Sequence, residues 1–394
     1  MSNVVLFKNK NECSGCMACA NSCPKNAISM TADEYGFYYP IIDDTKCVDC
    51  KKCVSVCEKT KNIALRKPLK CFAATHKDER TLNSSSSGGA FSALADYILE
   101  NNGLICGCIM TNDFDVIHVL SNDMDVIEKM KKSKYVQSNV GDVYKEIKNA
   151  LATGRLILFT GTPCQVAGLL SATDGEKYDN LITIDIACHG VPNNLLFHQY
   201  ISYLEKKYKS RIVSFDFRSK KYGWKRYTSS ITTISGKNIA IGKYGEFYHP
   251  AFTGGNTMRE SCFSCRFSSE NRVGDFTIAD CWGYEKLPIP FEFNNGLSTL
   301  LFNTQKALNL MSHLSKKMNI FEYDYAMAVS RNTCLREPTK RGTHWEQYMN
   351  AIKNDTIDEM AKDYLKRNRK KVLLHKIKDK IPTSLYMKFR KIYT

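Results

Sequence analysis

Cys13-Ser-Gly-Cys16-Met-Ala-Cys19-Ala-Asn-Ser-Cys23-Pro24 and, after a spacer, Cys47-Val-Asp-Cys50-Lys-Lys-Cys53-Val-Ser-Val-Cys57 together decide how this chain is organised. Each run has the spacing C-x2-C-x2-C-x3-C. Two residues between thiolates let three sulfurs converge on one 4Fe-4S cube, and the fourth cysteine, a turn further on, reaches the other cube. The spacing therefore assigns Cys13, Cys16, Cys19 and Cys57 to a first cube, and Cys47, Cys50, Cys53 and Cys23 to a second. Zinc sites use pairs of CxxC rather than this triple-plus-one pattern. Pro24 follows the first run but Glu58 follows the second, which predicts less standard, wetter surroundings for the second cube.

With 394 residues, the chain is too long for such a ferredoxin module alone, so two or three domains are expected. Hydrophobic residues make up 43%, enough for a substantial core. Seventeen cysteines would suggest disulfides in a secreted protein, but the N-terminus has no apolar region followed by a small-residue cleavage site. No run reaches the length of a membrane-spanning helix. These features fit a reducing cytoplasm, where thiols serve as ligands or catalysts. The formal charge is +16. Each loaded cube with its four thiolates removes roughly two units of it. Residues 362–394 hold twelve Lys/Arg against Asp363 and Asp379, so the excess sits in the tail and the body is near neutral. That argues against a nucleic-acid binder, whose basic surface belongs on the folded domain.

Ile28–Thr31 and Gly36–Ile42 read as a hairpin between the two cysteine runs. A new unit opens with a strand at Lys70–Thr75. The loop Asn83-Ser-Ser-Ser86-Ser87-Gly88-Gly89 then runs into a helix from Ala90. Free N–H groups and a positive dipole end make this either a cradle for a cofactor phosphate or an ordinary helix cap. Paired strands follow at Leu104–Ile109 and Asp115–Leu120, then helices at Val126–Lys131 and Val143–Leu151. Between these helices lies Lys132-Lys-Ser-Lys134-Tyr135-Val-Gln137-Ser138, a basic polar stretch and a second contact for an anionic cofactor. Cys106 and Cys108 alternate on a strand and read as buried structural thiols.

Two strand–loop–helix units come next, Arg155–Phe159 into Gly161-Thr-Pro-Cys164 and Leu181–Ile186 into Ala-Cys188-His189-Gly190. Each presents a cysteine at the carboxyl end of a strand, which predicts an α/β sheet whose upper edge is a site. Cys164 opens a helix, where a thiolate is stabilised; either cysteine alone reads as a ligand at that edge or, equally, as a nucleophile or core residue. Strands at Ile212–Arg218, Tyr227–Ile234 and Asn238–Ile241 look antiparallel. The basic, aromatic segment Ser219–Arg226 among them is either a stacking surface for a planar ring or a solvated hairpin tip. Cys262-Phe-Ser-Cys265 is a further CxxC. With Cys164 and Cys188 it makes four thiols, the complement of one more cube, and Cys281 is a substitute candidate. The basic segment from Lys366 to Thr394 carries spaced apolar residues and reads as an interfacial helix on an anionic membrane or as a solvated tail.

Taken together, Ser87-Gly-Gly-Ala-Phe-Ser, Lys134-Tyr-Val-Gln-Ser, Gly161-Thr-Pro-Cys-Gln, Ala187-Cys-His-Gly-Val-Pro, the CxxC at Cys262 and Gly274-Asp-Phe-Thr-Ile-Ala-Asp resemble the coenzyme F-420 hydrogenase/dehydrogenase beta-subunit family. The resemblance covers roughly residues 70 to 330, with the ferredoxin module fused ahead. It implies FAD, a 4Fe-4S cluster on Cys164, Cys188, Cys262 and Cys265, and passage of electrons between clusters and a substrate through the flavin. It raises Ser86, Ser87, Gly88 and Gly89 to flavin-phosphate contacts, joined by Lys134, Tyr135 and Gln137. It leaves coenzyme F-420 itself open as substrate, because relatives of the ferredoxin-fused type look common in bacteria lacking that coenzyme, often near surface-polysaccharide genes. The basic tail has no counterpart in that pattern.

The expected architecture is a two-cluster ferredoxin domain (1–68), a mixed α/β flavin-binding domain in two parts (69–150 and 151–335) and a basic helical tail (336–394). The expected function is that of an iron–sulfur flavoprotein oxidoreductase, cytoplasmic, taking electrons from a donor protein such as reduced ferredoxin and acting on a small organic substrate. His189 beside Cys188 is a candidate proton donor or a structural histidine. The competing expectations are an electron-transfer adaptor with no substrate site, and a membrane-associated partner whose clusters sense oxygen.

Overall fold

The computed structural model describes residues 4–293 and 295–381. The N-terminal module is built round a hairpin, β1 (Ile28–Ala32) paired antiparallel with β2 (Tyr38–Ile42). The two cysteine runs lie against it in matching conformations. Gly15 and Met17 in the first run, and Asp49 and Lys51 in the second, all have positive φ. Each run then turns into a short helix, Ala18–Ser22 or Lys52–Ser55. Left-handed backbone costs a non-glycine residue roughly 1–2 kcal/mol. The conformation turns backbone amides toward sulfur, as where Ala18 N–H faces Cys16 and Ala27 N–H donates to Cys23 Sγ at 3.2 Å.

The larger body is organised by β3 (Lys70–His76), β4 (Leu104–Met110), β5 (Val116–Ser121), β6 (Ile157–Gly161), β7 (Leu181–Ile186), a separate three-stranded antiparallel sheet of β8 (Ile212–Asp216), β9 (Thr228–Thr233) and β10 (Asn238–Gly242), and then β11 (Phe276–Asp280), β12 (Ser298–Phe302) and β13 (Met318–Glu322). The main sheet has the order β13-β3-β12-β11-β7-β6-β4-β5. Its centre, β11-β7-β6-β4, is parallel, and both flanks are antiparallel. The central strands Ile-Leu-Phe-Thr-Gly and Leu-Ile-Thr-Ile-Asp-Ile are covered on both faces and correspondingly apolar. One face packs on the helix Ala90–Glu100, the other on the helices Val143–Ala152 and Pro163–Thr173.

The centre of the sheet is fastened by a buried polar network. Asp185, fully buried on β7, accepts from Arg272 Nη2 at 2.7 Å, Thr277 Oγ1 at 2.7 Å, and the amides of Val273 and Gly274. Asp275 in turn accepts from the amide and the hydroxyl of Thr183. These bonds pin the segment leading into β11 onto β7. Gly274 is needed there, since a Cβ would stand 2.8 Å from the Asp185 amide nitrogen.

Among the described residues no helix is long and apolar enough to cross a membrane. The helix Arg369–Lys380 exposes Leu373, Leu374 and Ile377 and touches the body where His375 meets Tyr244, ring centroids 4.3 Å apart. The rest of the expected interfacial segment, 382–394, lies outside the described residues.

Candidate functional site: three thiol quartets and a cationic loop

The two cysteine runs enclose two cavities. One, of about 420 Å³, is lined by Cys13, Cys16, Cys19 and Cys57. The other, of about 350 Å³, is lined by Cys23, Cys47, Cys50 and Cys53. In each, the fourth cysteine crosses from the other run. Among the described residues no three Cys, His, Asp or Glu side chains close on a single ion; the quartets surround a space instead. The remaining lining is mainly apolar, including Phe7, Met17 and Met30 around the first quartet and Val4, Ile28 and Ile42 around the second. Ser14 also lines the first cavity, where its hydroxyl is turned to the Glu58 carboxyl. Amides turned toward cysteine sulfur, as at Ala18 and Ala27, and a mainly apolar lining fit a cube.

Glu58 corrects an expectation. It does not wet the second quartet's surroundings; it is 1% exposed and lines the first quartet's cavity. The reason is the crossing itself, because Cys57 belongs to the first quartet and carries its neighbour along. Burial raises the Glu58 carboxyl, opposed by Lys59 and Arg266, the latter 3.9 Å away. The second quartet is the open one, with Cys50 exposed.

Cys164, Cys188, Cys262 and Cys265 come together from three parts of the chain. Cys164 stands in the first turn of the helix Pro163–Thr173, whose N-cap Thr162 and Gln165 form a reciprocal capping box. Cys188 lies on the loop after β7, ahead of the helix Asn194–Tyr208 rather than at its start. Cys262 lies within the short 3-10 helix Glu260–Ser264 and Cys265 caps its end. Burial pushes the Cys164 thiol up to about 12 despite its helix-start position, and the nearby Cys265 adds to it. Burial raises Cys188, reinforced by Cys262, Cys164 and Cys265, and lifts Cys262 to about 11. Cys164, Cys188 and Cys262, raised this way, stay protonated until a cation takes their protons' place. Cys281 is elsewhere: fully buried beneath β11 with Cys71, its Sγ 3.8 Å from Tyr323 Oη, it does not join the quartet.

The Ser/Gly loop lies at the other side of the same region. Gly88 fits where a Cβ would stand 2.1 Å from Ala74 O, and its amide donates to Ser298 Oγ. Ser87 Oγ donates to Leu297 O, and Ser86 Oγ accepts from the Ser133 amide at 2.7 Å. Gly89 caps the helix Ala90–Glu100 with positive φ and no side chain, so that helix start, though buried, has no side-chain cap. Lys220 Nζ donates to Leu82 O and Ser87 O, and Arg218 Nη2 to Ser86 O. Arg218 is also forked onto Asp280, with bonds of 2.8 and 3.1 Å, and donates to Tyr135 Oη. Lys132 pairs with Asp216 at 2.6 Å. Burial, with Arg218 and Lys132 nearby, lowers Lys220 to about 7.

Two sequence candidates lie outside this cluster. Lys134 turns its ammonium onto the carbonyls of Lys129, Met130, Lys131 and Lys132 and so caps the preceding helix, Met124–Met130. Gln137 donates to Ser14 O and accepts from Arg259, an anchor to the ferredoxin module. The segment Ser219–Arg226 is no solvated tip, because Trp224 and Arg226 are buried. Trp224 stacks on Trp282 with centroids 6.1 Å apart and planes at 10°. His189 has both ring nitrogens engaged, Nε2 with Thr253 O at 3.2 Å and Nδ1 with Thr339 Oγ1 at 3.2 Å.

Arg259 had no sequence signal beyond preceding Cys262 by three residues. It is fully buried, donates to Cys13 O and Tyr38 O, and covers the Tyr39 ring at 4.1 Å. It joins the ferredoxin module to the segment that carries Cys262. Tyr135, Phe252 and His189 form a row of rings with centroids 5.3 and 5.1 Å apart. The row leads from the Arg218 cluster to the residue beside Cys188.

Comparison with known proteins adds three matches to family models. Residues 12–61 match the 4Fe-4S dicluster domain. Residues 71–145 match the N-terminal part, and 154–325 the C-terminal part, of the coenzyme F420 hydrogenase/dehydrogenase beta subunit. A ferredoxin-like protein in the nif region of Sinorhizobium fredii is 37% identical over 57 residues, which is 13% of this chain and 81% of that protein. Among solved structures, the xenon-derivatised F420-reducing [NiFe] hydrogenase complex from Methanosarcina barkeri contains a chain 15% identical to this one. The match covers 75% of this chain and 93% of that one, with a TM-score of 0.45.

Proposed function

Since the chain belongs to the coenzyme F420 hydrogenase/dehydrogenase beta-subunit family and carries a 4Fe-4S dicluster domain ahead of it, we propose that it is an iron–sulfur flavoprotein oxidoreductase. It passes electrons between a protein donor and an organic substrate. Cys13, Cys16, Cys19 and Cys57 hold one cube, Cys23, Cys47, Cys50 and Cys53 a second, and Cys164, Cys188, Cys262 and Cys265 a third. FAD, when bound, exchanges the single electrons of clusters for the electron pairs of organic substrates.

The observation that carries this reading is the ring row Tyr135–Phe252–His189, which joins the third quartet to a loop equipped for an anion. The start of the helix Ala90–Glu100, without a side-chain cap, and the ammonium of Lys220 suit a cofactor phosphate. Arg218 holds the loop carbonyl of Ser86 while Asp280 holds Arg218, so the guanidinium stays in place whether or not an anion is present. Trp282, 42% exposed on its stacked partner Trp224, offers a face to a planar ring. The open second quartet, with Cys50 exposed, suits exchange with a donor protein such as reduced ferredoxin. His189 acts here as a positioning residue rather than a proton donor.

A second reading, an adaptor with no flavin, is favoured by one detail. The Gly88 amide, which a phosphate would want, is already bonded to Ser298. Iron and flavin content after anaerobic reconstitution separates the two. About 12 iron per chain, at four per cube, with bound FAD supports the flavoprotein. About 8 iron and no flavin reduces residues 70–330 to an adaptor.

A further inference from the structure

The helix Pro163–Thr173 reads Pro-Cys164-Gln-Val-Ala-Gly168-Leu-Leu-Ser171-Ala172-Thr. Residues four apart share one face of a helix. On this face Cys164 lies with Cys262 and Cys265, while one turn on the helix meets the ferredoxin module. A Cβ at Gly168 would stand 3.1 Å from Cys16 Cβ, 3.2 Å from its Sγ and 3.3 Å from its carbonyl oxygen. A turn further, Ser171 Oγ donates to Val56 O at 2.6 Å, and Ala172 packs against Cys16, Ala18 and Val56.

Glycine inside a helix costs stability, and Gly168 does not have the positive φ that would call for it. What this position requires is close approach. At this junction a cysteine of the first quartet and one of the third act on each other directly. The Cys16 thiol is raised by burial first, then by Glu58, and also by Cys19 and Cys164. Glu58 acts on Cys164 as well, and Arg266, next to Cys265, faces Glu58. The second quartet meets the first through Cys53 and Cys19. The quartets thus stand in the order second, first, third.

We propose that electrons cross between the first and third quartets over this single helical turn, and that Gly168 is the positioning residue that sets the gap. The proposal rests on the reading that both quartets hold clusters. Cys13, Cys16, Cys19 and Cys57 would hold one cube and Cys164, Cys188, Cys262 and Cys265 the other, and the step between them would be a one-electron exchange, one oxidised by one electron as the other is reduced by one. No bond or proton moves. From Cys164 to Gly168 the helix rises about 6 Å, at roughly 1.5 Å per residue.

The test uses the anaerobically reconstituted full chain and its Gly168→Ala variant, reduced by rapid mixing with limiting dithionite. The added methyl must push Cys16 away by a few tenths of an ångström. The expected result is unchanged iron content and midpoint potentials, a several-fold slower reduction of the third cluster, and weaker spin–spin broadening in the electron paramagnetic resonance spectrum. Full iron with an unchanged rate and unchanged broadening overturns the role of Gly168. Pulsed measurements on the unmodified chain do not depend on the variant folding. They should find the first and third clusters more strongly coupled than the second and third, and equal or reversed coupling overturns the route. About 8 iron in the unmodified chain overturns the three-cluster reading and the route together, which separates that failure from the failure of Gly168 alone.

Discussion

The first two quartets and the third are built by opposite means. The first two draw all eight cysteines from residues 13–57, and their geometry comes from a repeated backbone conformation with positive φ at Gly15, Met17, Asp49 and Lys51. The third collects Cys164, Cys188, Cys262 and Cys265 from two strand ends and a later loop, and it exists only because β6, β7 and β11 lie side by side. A quartet made by local spacing depends on its own few turns. A quartet made by topology depends on the whole sheet, so damage to the sheet should separate the two.

The largest separation is expected at Arg272. Its guanidinium is the buried partner of Asp185 and fastens the segment that follows Cys265 onto the strand leading to Cys188. Arg272→Ala leaves a fully buried carboxylate unpaired, which costs about 3–5 kcal/mol. Thermal unfolding followed by circular dichroism should show a drop in Tm of many degrees. Reconstitution should retain the ferredoxin iron and lose the third quartet's. Equal loss from all three quartets would contradict the comparison.

A gentler cut is Cys262→Ser with Cys265→Ser. Iron should fall from about 12 to about 8 per chain, with Tm nearly unchanged before reconstitution. The reciprocal change, Cys47→Ser, should likewise remove about 4 iron and leave flavin binding intact. Loss of flavin in the Cys47→Ser chain would mean that the ferredoxin module supports the cofactor loop directly.

Lys220 gives a pH-dependent test of the larger domain alone. Its folded pKa is lowered to about 7 by burial and by Arg218 and Lys132. Between that value and its ordinary 10.5, the unfolded chain binds one more proton than the folded chain, so this group makes stability rise with pH across the window. Below about 7 the charged amine is buried in full and the penalty is greatest. Anion binding runs the other way, because a phosphate favours the protonated amine. FAD affinity, by fluorescence titration, should fall by up to about tenfold per pH unit above 7. Lys220→Arg should flatten the slope, since a guanidinium stays charged. A Lys220→Arg chain with the parent's slope would remove the amine from the loop's binding role.

These contrasts track what could be read without coordinates. The grouping of the eight N-terminal cysteines was legible because cluster spacing is a local rule, and the structure gathers the same residues round two cavities. The strands at 157–161 and 181–186 were legible from apolar runs that end in Gly and Pro turns, and that at 104–110 from its pairing with the run that follows. The fate of polar side chains was not. Lys134 and Gln137 look like anion contacts in a basic stretch, but a free helix C-terminus took the first and Ser14 and Arg259 took the second. Glu58 looked like a neighbour of the second quartet until Cys57 crossed over. Arg259 and Arg272 are both fully buried; the partners of Arg259 and the carboxylate partner of Arg272, Asp185, lie far off in the sequence, beyond any window along the chain.

His189 shows the same limit at the smallest scale. Its position beside Cys188 invites a proton-donor role, yet the sequence cannot place Thr253 or Thr339 next to it. With Nε2–H donating to Thr253 O, Nδ1 is left as an acceptor facing the Thr339 hydroxyl and the Cys334 thiol at 3.8 Å. The Thr339 hydroxyl gives its single proton to His189 O at 2.7 Å, which leaves the Cys334 thiol as the donor to Nδ1. Burial keeps the imidazole below its usual range, chiefly by excluding water from the charged form. A ring held in this way, edge-on to Phe252, orients the row toward Tyr135 without handing over a proton. Glutamine can keep the bond to Thr253 O while lacking a titrating group. His189→Gln should therefore leave the pH profile of substrate turnover in place and cost about 1 kcal/mol of stability, from lost ring packing. A pH limb that shifts or disappears in this variant would return His189 to the chemistry and make the loop after β7 part of the reacting centre.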